Sequence, residues 1–174
     1  PGAFFQPNTR QAERLYSRVV QMAPIPPGGI VYDLYCGTGT LGICMADRAK
    51  EVIGIELSPE SSLDARENAK LNGLANLTIH TGDVGRWLPT LLEDSSLCPD
   101  LAIVDPPRAG LEPKALQHLL TLRAPQLVYV SCNPVAQAAN LKILIEGGYS
   151  VRAVQPIDQF PHTVHVENIV ALAL

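Results

Sequence analysis

Between residues 30 and 131 the chain repeats one unit: a short apolar run, a turn rich in Gly, Pro or Asp, then a stretch of helical spacing. The apolar runs fall at 30–35, 52–56, 76–80, 101–105 and 126–131. Strands separated by helices need a crossover each time, so they lie parallel, with helices covering both faces. Two last extended runs, 149–156 and 165–173, have no long helix between them and are expected to pair antiparallel at one edge. The predicted fold class is therefore α/β: a Rossmann-like, doubly wound, mostly parallel seven-stranded sheet with an antiparallel edge pair. A helix over 9–23, capped by Asn8 or Thr9, precedes the repeat. The helices within it run from the glycine turn to near Lys50, from Ser58-Pro59 to Gly73, and from Asp83 through Trp87 to a break at Pro89. Two more follow, over 113–122 and 135–146.

The first crossover carries the strongest local signal. Asp33-Leu34-Tyr35-Cys36-Gly37-Thr38-Gly39-Thr40-Leu41-Gly42 places a G-x-G-x-x-G between a strand and a helix, and Glu56 follows 19 residues after Gly37 at the next strand end. Glycines there admit a ligand close to the backbone, and an acid at the second strand end can accept both hydroxyls of a ribose. Taken bare, the pattern suits a nicotinamide dinucleotide as well as any other adenosine cofactor. Its acids tip the choice. Asp33, Glu56, Asp83 and Asp105 all stand at strand ends. Four negative charges around one crevice disfavour a diphosphate and favour a cation. S-adenosylmethionine is such a cofactor.

A second signal is Val128-Tyr129-Val130-Ser131-Cys132-Asn133-Pro134. Pro134 stops the strand, so Cys132 falls where an apolar strand runs out at the carboxyl end of the sheet, the side on which open α/β sheets bind ligands. Near the C-terminus, Glu167 interrupts an otherwise apolar run, where an unpartnered acid is costly and so points to function.

These residues carry a resemblance. Asp33-x-x-Cys36-Gly37-Thr38-Gly39, Asp105-Pro106-Pro107-Arg108-Ala109-Gly110, Ser131-Cys132-Asn133-Pro134 and Phe160-Pro161-His162-Thr163-x-His165-Val166-Glu167 are similar to the signature set of the RNA uracil-5-methyltransferases, over essentially the whole chain. The resemblance implies a class I methyltransferase fold and methylation of carbon 5 of a loop uridine in 23S rRNA or tRNA. It implies S-adenosylmethionine contacts at Gln6, Tyr35, Gly37, Thr40, Glu56, Asp83 and Asp105, the nucleophile Cys132 and the proton acceptor Glu167. It also implies N-terminal RNA-binding parts that are absent from residues 1–174. The chain opens Pro1-Gly2 and not with Met, and we expect a catalytic domain taken from a longer protein.

The chemistry explains the pair. Uracil carbon 5 is a poor nucleophile until a thiolate adds at carbon 6 and turns the ring into an enolate. A carboxylate must then take the carbon-5 proton so that the thiolate can leave. An ordinary Cys is only roughly 3% thiolate at pH 7, so the site is expected to lower its pKa or couple proton loss to attack. Asn133 and Arg108 are candidates to neutralise the enolate oxygen. Cys36 and Cys44 read as packing residues.

A formal charge of −4 is the wrong sign for a chain that grips a long nucleic acid by its own field. The four cysteines, Cys36, Cys44, Cys98 and Cys132, form no C-x-x-C pair. That argues against a metal site and a disulfide framework and fits a reducing, cytoplasmic setting. No apolar run approaches a membrane span. Three other readings stay open: a methyltransferase acting on an amino group, a nicotinamide-dependent oxidoreductase, and a non-catalytic RNA-binding module.

Overall fold

The computed structural model describes residues 8–159, 161–163 and 165–174. In chain order the elements are α1 (Thr9–Met22), β1 (Ile30–Leu34), α2 (Thr40–Ala46), β2 (Glu51–Glu56), α3 (Pro59–Leu71), β3 (Leu77–Thr81) and α4 (Val84–Leu92). There follow β4 (Leu101–Val104), α5 (Pro113–Leu122), β5 (Gln126–Ser131), α6 (Pro134–Glu146), β6 (Ser150–Ile157) and β7 (Glu167–Ala173). They build one seven-stranded sheet in the order β3-β2-β1-β4-β5-β7-β6. The first five strands are parallel, and β7 runs antiparallel to both β5 and β6.

Successive strand residues point to opposite faces, which divides the apolar residues into two layers. Tyr32, Leu34, Ile53, Ile55, Leu127 and Tyr129 pack under α4, α5 and α6, while Val31, Val52, Leu101, Ile103, Val128 and Val130 pack under α1 and α2. A small third cluster of Cys36, Ala65 and Ile79 holds α3 against β3. Two expected caps form: Asn8 accepts from the Gln11 N–H, and Ser58 from the Ser61 N–H ahead of Pro59; Asn133, not foreseen as a cap, accepts from the Val135 and Ala136 N–H groups ahead of Pro134.

Three expectations need correction. α4 does not break at Pro89 but continues to Leu92. The proline forfeits a single amide hydrogen bond, to Gly85, and Val84, Leu88 and Leu91 bury the helix's apolar face firmly enough to offset that loss. α2 stops at Ala46 and not near Lys50, because Arg48 and Ala49 donate to Met45 and Ala46 in tight turns. Cys44 is exposed on α2 and does not pack. A further 3₁₀ turn at Ser95–Leu97, capped by the Asp94 carboxylate, had no sequence signal beyond its polar composition. Among the described residues no helix is long and apolar enough to cross a membrane.

Candidate active site

Because β1 to β5 are parallel, their carboxyl ends lie along one edge of the sheet, and the antiparallel β7 begins there. That edge gathers most of the residues singled out above.

The glycine turn leaves β1 through Tyr35, a non-glycine residue at φ 64°, and continues through Gly37 at 55° and Gly39 at 80°. The latter two conformations suit glycine. Space around them differs: a Cβ on Gly39 would meet Ala65 at 3.2 Å, whereas one on Gly37 would meet nothing within 4 Å. Open space therefore lies over Gly37. The turn is held from below by two carboxylates. Asp33, fully buried, accepts from the Gly42 N–H at 2.7 Å through one oxygen, and its other oxygen has no hydrogen-bond partner among the described residues. Glu56 accepts from Gly37 N–H at 2.9 Å and from Ser58 N–H at 2.7 Å, one bond to each oxygen. Each of its oxygens keeps a free lone pair. Thr40 opens α2, with its hydroxyl 3.3 Å from that of Thr38.

Asp83 stands at the N-cap position of α4, yet its side chain makes no capping bond; its carbonyl serves Arg86 and Trp87 instead. The carboxylate is thus left available near Tyr35, whose phenol it helps to push up, behind the larger effect of burial. Asp105 follows β4 directly and donates its N–H to Leu34. Burial, then Glu167 and Asp33, push its carboxyl up to about 8, and burial pushes Asp33 up to about 7. Gln6 lies outside the described residues.

Cys132 and Glu167 come together at the β5–β7 fork. The last pair of that ladder is Ser131↔Asn168. Cys132 bends out of the strand directly after that pair and Glu167 opens β7 directly before it, near enough for the Glu167 charge to act on the thiol. Glu167 is 5% exposed, and its carboxylate accepts no hydrogen bond from the described residues, so burial pushes it up. The expected lowering of the Cys132 pKa is not what the protein's own groups produce. Burial, then Glu167 and Asp105, push the thiol up, and Arg108 opposes them.

Asn133 does not face the crevice as a free donor. Its carboxamide oxygen caps α6 and its Nδ2 donates to the Arg108 carbonyl at 2.9 Å. Arg108 itself is exposed and meets His165 Nδ1 at 3.4 Å, with no carboxylate partner among the described residues. His80 and Trp87 stack with ring centroids 4.2 Å apart, and the indole N–H donates to the Thr81 carbonyl.

Sequence reasoning missed the polar face of α6. Asn140 accepts from Leu111 N–H and the Tyr129 hydroxyl, each at 2.8 Å, and so anchors the end of the Asp105–Gly110 loop. Gln137 donates to the carbonyls of Tyr129 and Asn168 and accepts from the Asn168 side chain at 2.7 Å, bridging β5 and β7 just behind Cys132 and Glu167. Gln137 and Asn140 share a helical face with the buried Leu144, a spacing that could have marked them as inward-facing.

The raised carboxyls predict a pH dependence. Unfolded Asp ionises near 3.8, whereas folded Asp33 and Asp105 hold their protons to about 7 and 8. Between those values unfolding releases protons, so their contribution to stability falls as pH rises from about 4 to 8. We expect the urea midpoint, with no cofactor added, to drop from pH 5 to pH 8, and to drop less in Asp105→Asn. An equal drop in parent and variant would contradict the assignment.

Comparisons with known proteins bear on this geometry. The methyltransferase domain model matches residues 26–161. An uncharacterized RNA methyltransferase of Protochlamydia amoebophila is 63% identical over 174 residues, covering all of this chain and 39% of that protein. Another from Caldanaerobacter subterraneus is 47% identical over 167 residues, or 96% of this chain and 36% of that one. The chain thus spans under two fifths of the length of these two curated relatives. Among solved structures, the Pyrococcus abyssi tRNA (uracil-54, C5)-methyltransferase in complex with S-adenosyl-L-homocysteine superposes with a TM-score of 0.84 at 34% identity, over 99% of this chain and 41% of that one.

Proposed function

The chain belongs to the methyltransferase domain family, and on that premise we propose that it methylates carbon 5 of a uridine in RNA through a transient bond from Cys132 to carbon 6. The observation that supports this most is the β5–β7 fork, where a thiol and a buried carboxylate, unpartnered among the described residues, stand at adjoining strand ends. A methyltransferase acting on an exocyclic amine needs neither group. The family's cofactor is S-adenosylmethionine, so the nicotinamide reading of the glycine turn gives way. The RNA substrate is suggested by the RNA methyltransferases among the relatives.

The residues fit the cofactor. Open space over Gly37, free lone pairs on Glu56 and an unengaged Asp83 carboxylate form an anionic cradle suited to a cation. Tyr35, Gly37, Thr40, Glu56, Asp83 and Asp105 would hold it, with Gln6 joining them from the N-terminal stretch. S-adenosylmethionine supplies, when bound, the methyl group that carbon 5 takes.

The protein's own steps are then two. Cys132 Sγ, once ionised, forms a bond to carbon 6, and the ring's electron pair moves onto the carbon-5/oxygen-4 enolate. After carbon 5 is methylated, Glu167 removes the proton from carbon 5, the 5,6 double bond re-forms, and the carbon–sulfur bond breaks to return the thiolate. A carboxyl held above its ordinary value is a better base for this than an exposed one. Arg108, the cation that opposes the rise at Cys132, is positioned to favour the thiolate. The target atom is hidden in a stacked strand, so the uridine must turn out of its helix or loop at a cost of about a few kcal/mol.

Product analysis tests the reading. The complete protein, given labelled S-adenosylmethionine and cellular RNA, is expected to yield 5-methyluridine after nuclease digestion and mass spectrometry. Label recovered only in an N-methylated base would contradict it.

A further inference from the structure

The outer face of α1 carries Arg10, Arg14 and Arg18, all exposed and spaced four residues apart. Such spacing puts them in a row, at steps of roughly 6 Å along the helix. They line a groove of about 860 Å³ whose far wall is Gln155, Pro156, Ile157 and Asp158, at the end of β6. Two of these arginines have neutral partners: Arg14 donates to Gln11 and Arg18 to Gln21. Glu13 and Asp158 are the carboxylates lining the groove. In a chain of net charge −4, this is a local excess of positive charge.

The groove's position relates it to the chemistry. Ile157 pairs with Glu167 across the β6–β7 ladder, so the end of β6 lies at the same sheet edge as Cys132. Asn8 and Gln159 exchange hydrogen bonds between side chain and carbonyl, which brings the start of α1 to that edge as well. From there the arginines lead away along the helix. Resting on the function proposed above, we propose that this groove is a track for the phosphate backbone of the RNA strand that flanks the target uridine. Guanidinium groups suit phosphate through paired N–H donors, and the polar Ser17, Gln21 and Gln155 suit sugar hydroxyls. A folded protein segment is a poorer occupant. The outward residues of α1 offer it no apolar surface, and docking there would bury three guanidinium groups against only two carboxylates.

The test is the salt dependence of RNA binding by the complete protein, using a uridine-containing stem-loop oligoribonucleotide. Each lost phosphate contact lowers the log–log slope by about 0.7 on single strands. Replacing Arg10, Arg14 and Arg18 together by Gln is expected to lower the slope by about 2 and weaken binding about tenfold or more at 0.1 M salt. S-adenosylhomocysteine binding checks the fold of the variant. Should the triple variant fail that check, the three single variants decide, each expected to lose about 0.7 of slope. Parental slope and affinity in a folded variant would overturn the track while leaving the uridine chemistry standing. Absence of RNA binding by the parent would instead sink the function. A second arm labels Ser17→Cys with a maleimide and reads that peptide by mass spectrometry. Labelling that RNA suppresses supports the track, and a Cys already blocked without RNA means another part of the protein fills the groove.

Discussion

Cys132→Ala in the complete protein is expected to lower methyl transfer to RNA by about 10⁴-fold or more while leaving S-adenosylhomocysteine binding within about twofold of the parent. The size of the loss follows from the ring. Without a bond at carbon 6, carbon 5 has no lone pair to offer, and no other group at this edge supplies a soft nucleophile. Cys36 cannot substitute. It is buried under α3, and burial pushes its thiol well above the ordinary range. The fold itself should tolerate the change. The Cys132 side chain is partly exposed, and the cap of α6 belongs to Asn133. An alanine variant that methylates RNA at the parental rate would remove the covalent scheme.

Glu167→Gln is expected to reduce turnover by about 10²- to 10⁴-fold and to accumulate a covalent protein–RNA species. The electrostatics of the fork make this prediction sharp. The carboxylate raises the Cys132 pKa, so neutralising residue 167 makes thiolate formation easier. If Glu167 were only a neighbouring charge, the variant would react faster. A fall in turnover together with an accumulated adduct is the signature of a missing base. The amide also relieves the repulsion between Glu167 and Asp105, so lost stability is not an explanation for the slower reaction.

The sheet and its crossovers were legible in the sequence because strand and helix periods differ, because Ser58-Pro59 marks a helix start and because Pro134 stops a strand. Pro89 misled, since a local rule about proline says nothing about the apolar face of Val84, Leu88 and Leu91 that overrides it. Acids at the strand ends were visible as a charge pattern, but their roles separate only in three dimensions. Asp33 and Glu56 brace the glycine turn through backbone N–H groups, while Asp83 leaves its carboxylate unengaged. The proximity of Cys132 and Glu167 could not be read from spacing, because it depends on the register of a ladder between segments 35 residues apart. Asn140 and Gln137 escaped notice for a related reason. Their contacts are with the Leu111 backbone and with Asn168, partners that no local pattern reveals.

The measurement that bears most directly on the whole account is peptide mapping of the species trapped by Glu167→Gln with S-adenosylmethionine and RNA. After nuclease and protease digestion, mass spectrometry should find the peptide containing Cys132 carrying one methylated uridine, joined through sulfur. A methylated RNA released with no such peptide, or a nucleotide attached at any other residue, would contradict it.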